Sequence, residues 1–425
     1  MKYIFPFWEF DKGDNVILYG AGEVGKDYYS YNSLLNWIRI PLWLDMYKKQ
    51  ACGVLLTYPL TEYVMTEFDF ILIALADKEQ ADEAKQYLIE QCGVSERGII
   101  WVDPNSSLAE GMFLDWYYDE YVTNKHFDYI VRVRFVDFLS EMILETVKLL
   151  PNVRFTCSYI DDARSLLLYG HICARESRYP VMINYEDVRV AFWYGEADVP
   201  DMSYFDYAFT ARKLDDSKCY YVNYFFPEDE FLRKKNIINA NGGDVLFNRK
   251  FCNFIYSNDS FGEGARLRKD FCLRLRGYKD VDCPGRVLNN MRNAITPRDG
   301  DWSRGKREFI KKYKFTIAFE NTRAKGYTTE KLWDPLLVGS IPIYWGNPEI
   351  GEYVNKDCMI DCRDFDDDFS AVIERVKEID QDEEKYKYML SVSPLKDKRL
   401  FGWKKEFKEN FCRLIVENDC FTDCI

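Results

Sequence analysis

Apolar runs of strand length alternate with amphipathic stretches of helical period along most of this chain, and this alternation predicts an α/β fold. In the first quarter of the chain the strand-like runs are residues 15–19, 68–76 and 98–102. Residues 78–92 have the spacing of an amphipathic helix. Strands that are continuously apolar are typical of parallel sheets covered on both faces. We therefore predict a small doubly wound domain over residues 1–110, ended by a turn-rich segment at 103–107.

The same alternation predicts two further α/β domains, over residues 111–245 and 246–390. The patterns that predict the first are strand-like runs at residues 129–133, 153–157 and 188–192 and a helical stretch at 138–150. The patterns that predict the second are strand-like runs at residues 253–256 and 315–319 and an acidic helical stretch at 369–379.

The tail, residues 391–425, has an amphipathic pattern. Its large apolar side chains recur on one helical face, at Leu400, Trp403, Phe407, Phe411 and Leu414. Lysines occupy the opposite face. Two interpretations are open: the apolar face packs on the protein's own core, or it makes weak peripheral contact with a membrane surface.

A glycine-rich turn follows the first strand-like run, where Gly20, Gly22 and Gly25 have the GxGxxG spacing and Asp45 lies 20 residues beyond Gly25. A strand before the glycines, a helix after them and an acid at that distance are the context of a dinucleotide-binding turn. The glycines also suit a tight turn with close helix–strand packing and no cofactor. The pattern therefore predicts a Rossmann-like domain and leaves its ligand open.

Composition excludes several classes of protein. The chain has 425 residues and a net charge of −13, which argues against a polyanionic partner. Nucleic-acid binding needs a basic face, and no Lys/Arg block of that size appears before the C-terminus. Its 13 cysteines contain no CxxC pair, which favours a reduced, cytoplasmic setting. No run approaches the ~20 apolar residues of a membrane span, and Pro6 and Glu9 interrupt the first ten residues where a signal peptide would be apolar.

The segment 315–346 carries the strongest chemical indication. It predicts a strand, a charged turn and a helix, with Glu320 and Asn321 at the end of the strand and Glu330 and Lys331 in the first helical turn. A helix N-terminus with a lysine is an anion site, so the ligand it favours is a phosphate or diphosphate whose sugar or base meets the carboxylates. An ordinary βαβ crossover with surface charges has the same pattern.

The same segment resembles the α1,3-fucosyltransferase family, glycosyltransferase family 10, of bacterial type. The matching motifs are Phe-Glu-Asn at residues 319–321, Tyr-x-Thr-Glu-Lys at 327–331 and Gly-x-x-Pro-Ile-Tyr-Trp-Gly at 339–346. Further similarity is found at residues 193–201, 205–209 and 251–258 and at Arg268. The resemblance covers residues 126–390 and nothing before about residue 110.

This resemblance implies a GT-B-type pair of Rossmann-like domains, here preceded by the small N-terminal Rossmann-like domain. It implies an inverting enzyme that moves L-fucose from GDP-β-L-fucose to a glycan hydroxyl, α1,3 to the GlcNAc of an N-acetyllactosamine-like acceptor, free or lipid-linked. GDP-fucose is then the donor substrate, and no cofactor or bound metal is required. Eukaryotic members typically have an N-terminal membrane anchor, so we expect a bacterial cytoplasmic enzyme.

The resemblance also implies roles for particular residues. Glu196 matches the family's general base, and neither His126 nor His171 lies in a matched motif. The residues expected to hold the donor are Arg268 and Lys331 at the diphosphate, Tyr327 and Glu330 at the ribose or fucose, and Asn321 ordering the site. Glu330 is counted with Glu196 as catalytic. Arg266 is an alternative to Arg268, and we interpret the acids at residues 364–368 as a helix start and not a metal site.

Two other functions are compatible with parts of the pattern. An NAD-dependent sugar-nucleotide epimerase or reductase would use the glycine turn together with Tyr327 and Lys331, which also form a Tyr-x-x-x-Lys pair. About 300 residues separate that pair from the glycines, more than such enzymes have within one sheet. The third interpretation is a noncatalytic nucleotide-binding subunit of polysaccharide synthesis.

Overall fold

The computed structural model describes residues 2–57, 67–106, 108–123, 126–136, 140–157, 165–170, 187–193, 196–233, 247–291, 302–396 and 398–418. Among these residues the α-helices are α1 (Glu23–Leu35), α2 (Lys78–Glu90), α3 (Ala109–Tyr121), α4 (Ser140–Leu149), α5 (Glu228–Arg233), α6 (Glu263–Leu275), α7 (Trp302–Ile310), α8 (Glu330–Val338), α9 (Phe369–Gln381), α10 (Glu383–Ser391) and α11 (Trp403–Asn418). The strands of the first quarter are β1 (Val16–Tyr19), β2 (Trp43–Leu44), β3 (Gln50–Ala51), β4 (Val54–Leu55), β5 (Phe70–Ile73) and β6 (Ile99–Ile100). The later strands are β7 (Tyr129–Val136), β8 (Val153–Cys157), β9 (Leu166–Gly170), β10 (Val188–Trp193), β11 (Tyr207–Thr210), β12 (Cys219–Tyr221), β13 (Lys250–Asn253), β14 (Val281–Asp282), β15 (Tyr313–Phe319), β16 (Ile341–Trp345) and β17 (Ile360–Asp361).

The strands form three parallel sheets, with strand orders β2-β1-β5-β6, β12-β11-β10-β9-β7-β8 and β14-β13-β15-β16-β17. We call them the first, second and third sheets. β3 and β4 form a separate antiparallel pair. Because parallel neighbours need crossover connections, the helices between consecutive strands cover the sheet faces, and β1, β15 and β16 are buried along their whole length.

The glycine turn follows β1 of the first sheet. Two of its features are not determined by the GxGxxG spacing. Gly25 is the close-approach residue, since a Cβ there would lie 2.0 Å from the Gly20 carbonyl oxygen, whereas Gly22 faces open space. The Asp45 carboxylate accepts the backbone N–H of Ala21 at 2.7 Å and that of Lys48 at 2.7 Å. Asp45, the acid that would contact a ribose in a dinucleotide-binding turn, therefore stabilises the turn by accepting backbone hydrogen bonds.

Helix α3 joins the first sheet to the second through aromatic side chains. On one side the Trp116 ring stacks on Phe7 at 4.4 Å and meets Trp37 edge-on at 5.0 Å. On the other side the Tyr118 hydroxyl donates to the Val153 carbonyl at 3.2 Å and accepts the Phe155 N–H at 2.9 Å, both in β8. Buried residues of the two regions consequently form one continuous hydrophobic core.

The C-terminal helix α11 packs on the second sheet. The ring of Phe407 lies 4.9 Å from that of Phe209, and the ring of Phe411 lies 6.0 Å from that of Phe155. All five apolar residues predicted for this stripe are buried. The stripe is thus part of the protein's own core and is not a membrane-binding surface. No helix among the described residues has the length and apolar character needed to cross a membrane.

The third sheet differs from expectation at its first strand. β13 spans Lys250–Asn253, so of the strand predicted at residues 253–256 only Asn253 lies in it, and residues 254–256 belong to the loop beyond its carboxyl end. The acids at 364–368 precede α9 as predicted: Asp368 caps the helix by accepting the Ser370 N–H at 2.9 Å, and Asp367 pairs with Arg323 at 2.8 Å.

Candidate functional site

The carboxyl ends of the second and third sheets border a cavity of about 460 Å³. Ligand sites of α/β proteins lie at this end of the strands, where loops and helix N-termini are free to converge. Six residues singled out from the sequence all line this cavity: Glu196, Arg268, Asn321, Tyr327, Glu330 and Lys331. Glu196 comes from the loop after β10 of the second sheet, and the other five come from the third-sheet region. His126 does not line the cavity, whereas His171 and residues 194–195 lie outside the described residues.

Glu320, at the end of β15, is completely buried beneath this site. Its carboxylate accepts the Thr329 N–H at 2.8 Å and the Thr329 hydroxyl at 2.7 Å, and the Lys331 ammonium lies 3.7 Å away. Burial raises the pKa of Glu320, although Lys331 and Thr329 oppose that rise. Glu320 therefore ties the end of β15 to the start of α8. It was left out of the expected site, although the Phe-Glu-Asn motif contains it.

The first turn of α8 carries one acid and one base into the cavity. Thr329 caps the helix, and its hydroxyl accepts the Lys331 N–H at 3.3 Å and the Lys331 ammonium at 3.1 Å. The Glu330 carboxylate lies 3.5 Å from the Lys331 ammonium and 3.7 Å from that of Lys306. Burial alone would raise the pKa of Glu330, but Lys331 and Lys306 together lower it to about 2. The carboxylate is therefore an ionised hydrogen-bond acceptor at neutral pH.

Lys306 is a site residue that the sequence analysis missed. It projects from α7, is 7% exposed, and pairs with the buried Asp334 carboxylate at 2.9 Å. Asp334 also accepts from Arg307 at 2.8 Å. Burial works against the charge of Lys306, but Asp334 and Glu330 raise its pKa. No motif surrounds residue 306 in the sequence, so only the packing of α7 on α8 brings this lysine to the cavity.

Arg268 is held by α6 at the inner wall. Its guanidinium donates to Asn321 Oδ1 at 2.8 Å and to the Asn258 carbonyl at 2.7 Å, and it lies 4.0 Å from the centre of the Tyr256 ring. Its Nε is buried without a hydrogen-bond partner in the described part of the chain. Arg266, the alternative, is exposed and does not line the cavity. The geometry thus favours Arg268 over Arg266.

Two glycines bring α6 close enough for these contacts. Gly262 has a φ of +80°, and a Cβ at that position would lie 2.2 Å from the Asn321 carbonyl oxygen. A Cβ on Gly264 would lie 1.9 Å from the Glu320 carbonyl oxygen. Gly262, at the N-terminal end of α6, and Gly264, in its first turn, are therefore required where the helix meets the end of β15.

Glu196 faces this cationic wall from across the cavity. Its Oε2 lies 3.4 Å from the Tyr327 hydroxyl, which donates to it. Arg286 and Phe225 also line the space. The charged lining among the described residues is four cations (Arg268, Arg286, Lys306 and Lys331) and two carboxylates (Glu196 and Glu330). An excess of positive charge with one acid opposite suits an anion that presents a neutral reacting group toward that acid.

A metal site is not apparent in the part of the chain that the structure describes, since no group of three or more His, Cys, Asp and Glu side chains there is arranged to hold an ion.

Comparisons with known proteins point to one family. Residues 247–419 match the family model described as glycosyltransferase family 10 (fucosyltransferase), C-terminal part. The chain is 27% identical over 275 residues to the alpha-(1,3)-fucosyltransferase of Helicobacter pylori, a match that covers 56% of this chain and 55% of that protein. It is 27% identical over 186 residues to GDP-fucose protein O-fucosyltransferase 3 of Gallus gallus, covering 42% of this chain and 36% of that protein. The chain thus matches about half, or less, of the length of these relatives.

Solved structures give the fold. A crystal structure of an α1,3-fucosyltransferase aligns with a TM-score of 0.53 and 22% identity, covering 73% of this chain and 97% of that one. A crystal structure of α1,3-fucosyltransferase with GDP-fucose aligns equally well, at a TM-score of 0.53 and 22% identity over 73% of this chain and 99% of that one. The predicted α/β fold, a GT-B-type pair of Rossmann-like domains with an added N-terminal Rossmann-like sheet, is confirmed.

Proposed function

We propose, from the premise that residues 247–419 belong to glycosyltransferase family 10, that this chain is an inverting fucosyltransferase. In this proposal it moves L-fucose from GDP-β-L-fucose to a glycan hydroxyl and forms an α linkage. The observation that carries the proposal is the cavity itself, in which Arg268, Lys331 and Lys306 face one acid, Glu196, across the cleft.

The donor diphosphate fits the third-sheet side of the cavity. Arg268 offers a planar guanidinium with an unused Nε–H, and Lys331 offers an ammonium beside the N-terminus of α8. The ionised Glu330 carboxylate and the Tyr327 hydroxyl suit the hydroxyl groups of ribose or fucose. The Asn321 side chain accepts a hydrogen bond from Arg268 and helps to order the site. Each family-matched side chain therefore has a task that its position permits.

The reaction then needs one proton transfer and one displacement. The Glu196 carboxylate takes the proton of the acceptor hydroxyl, and the freed oxygen forms a bond to C1 of fucose from the face opposite the phosphate. The bond between C1 and the phosphate oxygen breaks, and its electron pair leaves with GDP. Arg268 and Lys331 stabilise the negative charge that develops there. Attack from the opposite face converts the β-linked donor into an α-linked product.

For the acceptor we propose the 3-hydroxyl of GlcNAc in an N-acetyllactosamine-like glycan, free or lipid-linked. The support is the H. pylori relative, whose name specifies the α-(1,3) linkage, and the position of Glu196 on the second-sheet side. We also propose a cytoplasmic location, on the basis of the cysteine pattern.

Neither rival function explains the cavity as well. An NAD-dependent epimerase would need Asp45 for ribose and Tyr327 beside a nicotinamide, but Asp45 accepts backbone N–H groups and Tyr327 donates to Glu196. A noncatalytic nucleotide-binding subunit would have no use for an acid facing the cations.

One paired experiment tests the proposal. Thermal unfolding is measured with GDP, UDP and NAD, and labelled GDP-fucose is then supplied with lactose, N-acetyllactosamine and its type-1 isomer. GDP at about 100 times its dissociation constant should stabilise the fold by ~2.7 kcal/mol, and fucose should pass to N-acetyllactosamine. A shift with UDP or NAD but not GDP would contradict the donor. GDP binding without transfer to any glycan would favour the noncatalytic subunit.

A further inference from the structure

Residues 210–213, which we call the linking segment, begin with the last residue of β11, at the carboxyl edge of the second sheet. Thr210 pairs with Trp193 in the neighbouring strand β10, so the segment runs beside the loop that carries Glu196. The Arg212 guanidinium donates to the carbonyl of Ala197 at 3.0 Å, one residue beyond Glu196. The Thr210 hydroxyl donates to the Arg212 carbonyl at 2.7 Å. One end of the linking segment therefore makes a hydrogen bond to the loop that carries Glu196.

The next residue holds the opposite side of the cleft. The Lys213 backbone N–H donates to the Lys325 carbonyl at 2.8 Å, in the turn that leads to Tyr327. Its ammonium donates to Glu349 Oε2 at 2.6 Å and to the Tyr353 hydroxyl at 2.6 Å. Both partners belong to the third-sheet region.

The turn itself packs tightly against the linking segment. Gly326 has a φ of +78°, and a Cβ there would lie 2.8 Å from the Tyr221 ring and 3.0 Å from the Lys213 side chain. The Tyr221 hydroxyl also donates to the Gly326 carbonyl at 2.9 Å. Hydrogen bonds thus hold the turn against the second sheet, and this close packing is possible because Gly326 has no side chain.

We propose that Arg212 and Lys213 are positioning residues that fix the distance between Glu196 and the donor. The inference rests on the proposed function, since Glu196 is the base of that reaction. Lys213 contacts the 325–326 turn, and the preceding residue, Arg212, contacts Ala197. Because consecutive Cα atoms are only ~3.8 Å apart, a displacement of the turn is expected to displace the loop that carries Glu196 as well. Among the residues that line the cavity neither Arg212 nor Lys213 is found, so both act through other groups.

The first test compares two arginines of the second-sheet region. Arg212→Met removes the hydrogen bond to the Ala197 carbonyl, whereas the control, Arg189→Met, removes an ion pair with Asp206 at the start of β10. Misplacing a general base slows the chemical step and leaves donor binding intact. We expect Arg212→Met to lower kcat about tenfold or more with GDP affinity within twofold, and Arg189→Met to change neither. Arg212→Lys, which keeps an N–H donor, should recover part of the loss, and equal losses in Arg212→Met and Arg189→Met would overturn the inference.

The second test is a double-mutant cycle with Glu196→Gln. If Arg212 acts through Glu196, the double variant is no slower than Glu196→Gln alone, because the aligned group is already gone. The same holds for Lys213→Met combined with Glu196→Gln. Losses that multiply would overturn the positioning role and leave the proposed function standing. A wild-type protein that transfers no fucose from GDP-fucose would overturn the proposed function and this inference with it.

Discussion

The Tyr327 hydroxyl lies 3.4 Å from Oε2 of Glu196 and joins the two sides of the cleft. Tyr327 is 1% exposed, and its burial, with the nearby Glu320 and Glu196 carboxylates, raises its pKa well above the usual value. The phenol therefore stays protonated at neutral pH and can only donate to the carboxylate. This hydrogen bond fixes the direction of the Glu196 carboxylate across the cleft.

Glu196→Gln should lower turnover by ~10²-fold or more and leave GDP affinity within about twofold, because a general base aids the transition state and does not hold the donor. Steady-state kinetics with labelled GDP-fucose and calorimetry with GDP measure the two quantities. Glu352→Gln, which neutralises an exposed acid that does not line the cavity, is the matched control. Near wild-type turnover in Glu196→Gln would mean that another group takes the proton.

Lys306→Met should make the stability of the protein depend differently on pH. In the wild type the pKa of Glu330 is lowered to about 2. Its ionised form therefore stabilises the folded protein fully above the pKa of glutamate in the unfolded chain, ~4.3, and this stabilisation is lost as the pH falls toward 2. Removing Lys306 leaves Lys331 and Arg268 as the cations near Glu330, with Glu320 and Tyr327 opposing them. The folded pKa then rises, and the stability lost should be larger at pH 7 than at pH 3.

Thermal unfolding from pH 3 to pH 7 measures this effect. Lys311→Met, on a residue that is exposed and just beyond the end of α7, is the control for removing a lysine from the same region. A constant difference in unfolding temperature between Lys306→Met and wild type at every pH would contradict a stabilising role for the ion pairs that Lys306 makes with Glu330 and Asp334.

The sequence predicted site residues at the strand end and the helix start, but it did not predict Lys306, which pairs with residues of that helix. Asn321, Tyr327, Glu330 and Lys331 lie within one 32-residue βαβ segment, so the fold of that segment alone brings them together. Lys306 comes from a different helix, and its pairing with Asp334 depends on how α7 packs on α8. No local pattern encodes that contact.

The N-terminal region illustrates the same limit in another way. The spacing of Gly20, Gly22 and Gly25 correctly predicted a turn between β1 and α1, because a tight strand–helix turn restricts the backbone locally. The spacing does not show which glycine makes the close contact, or whether Asp45 faces a ligand or the backbone. Both depend on the packing of β2 beside β1.

Gly25→Ala and Gly22→Ala form a matched pair that tests this packing. A methyl group on Gly25 would overlap the Gly20 carbonyl oxygen at 2.0 Å and push α1 from β1, whereas Gly22 has open space. We expect Gly25→Ala to lose on the order of 2–4 kcal/mol of unfolding free energy and Gly22→Ala to stay within about 0.5 kcal/mol. Denaturant unfolding measures both. Equal effects would mean that the turn differs from the one described.

A chain that begins at Leu108 should lose solubility before it loses chemistry. The described residues of the first 110 contribute none of the cavity lining, so we expect GDP binding and fucose transfer to survive their removal. The truncation does uncover the α3 face that Phe7, Tyr31 and Trp37 cover, leaving Phe113 and Trp116 in water. A contiguous aromatic patch of this kind promotes association.

We therefore expect the truncated chain to aggregate in size-exclusion chromatography, and a second truncated chain with Phe113→Ser and Trp116→Gln to be more soluble. In the folded fraction of either, the thermal shift with GDP and the transfer of fucose should match the full chain within a few-fold, because the cavity lining among the described residues begins at Glu196. The full chain carrying the same two substitutions is the control for their own effect on stability. A soluble truncated protein that binds GDP normally but transfers no fucose to any acceptor used by the full chain would show that the N-terminal region helps to form the acceptor site.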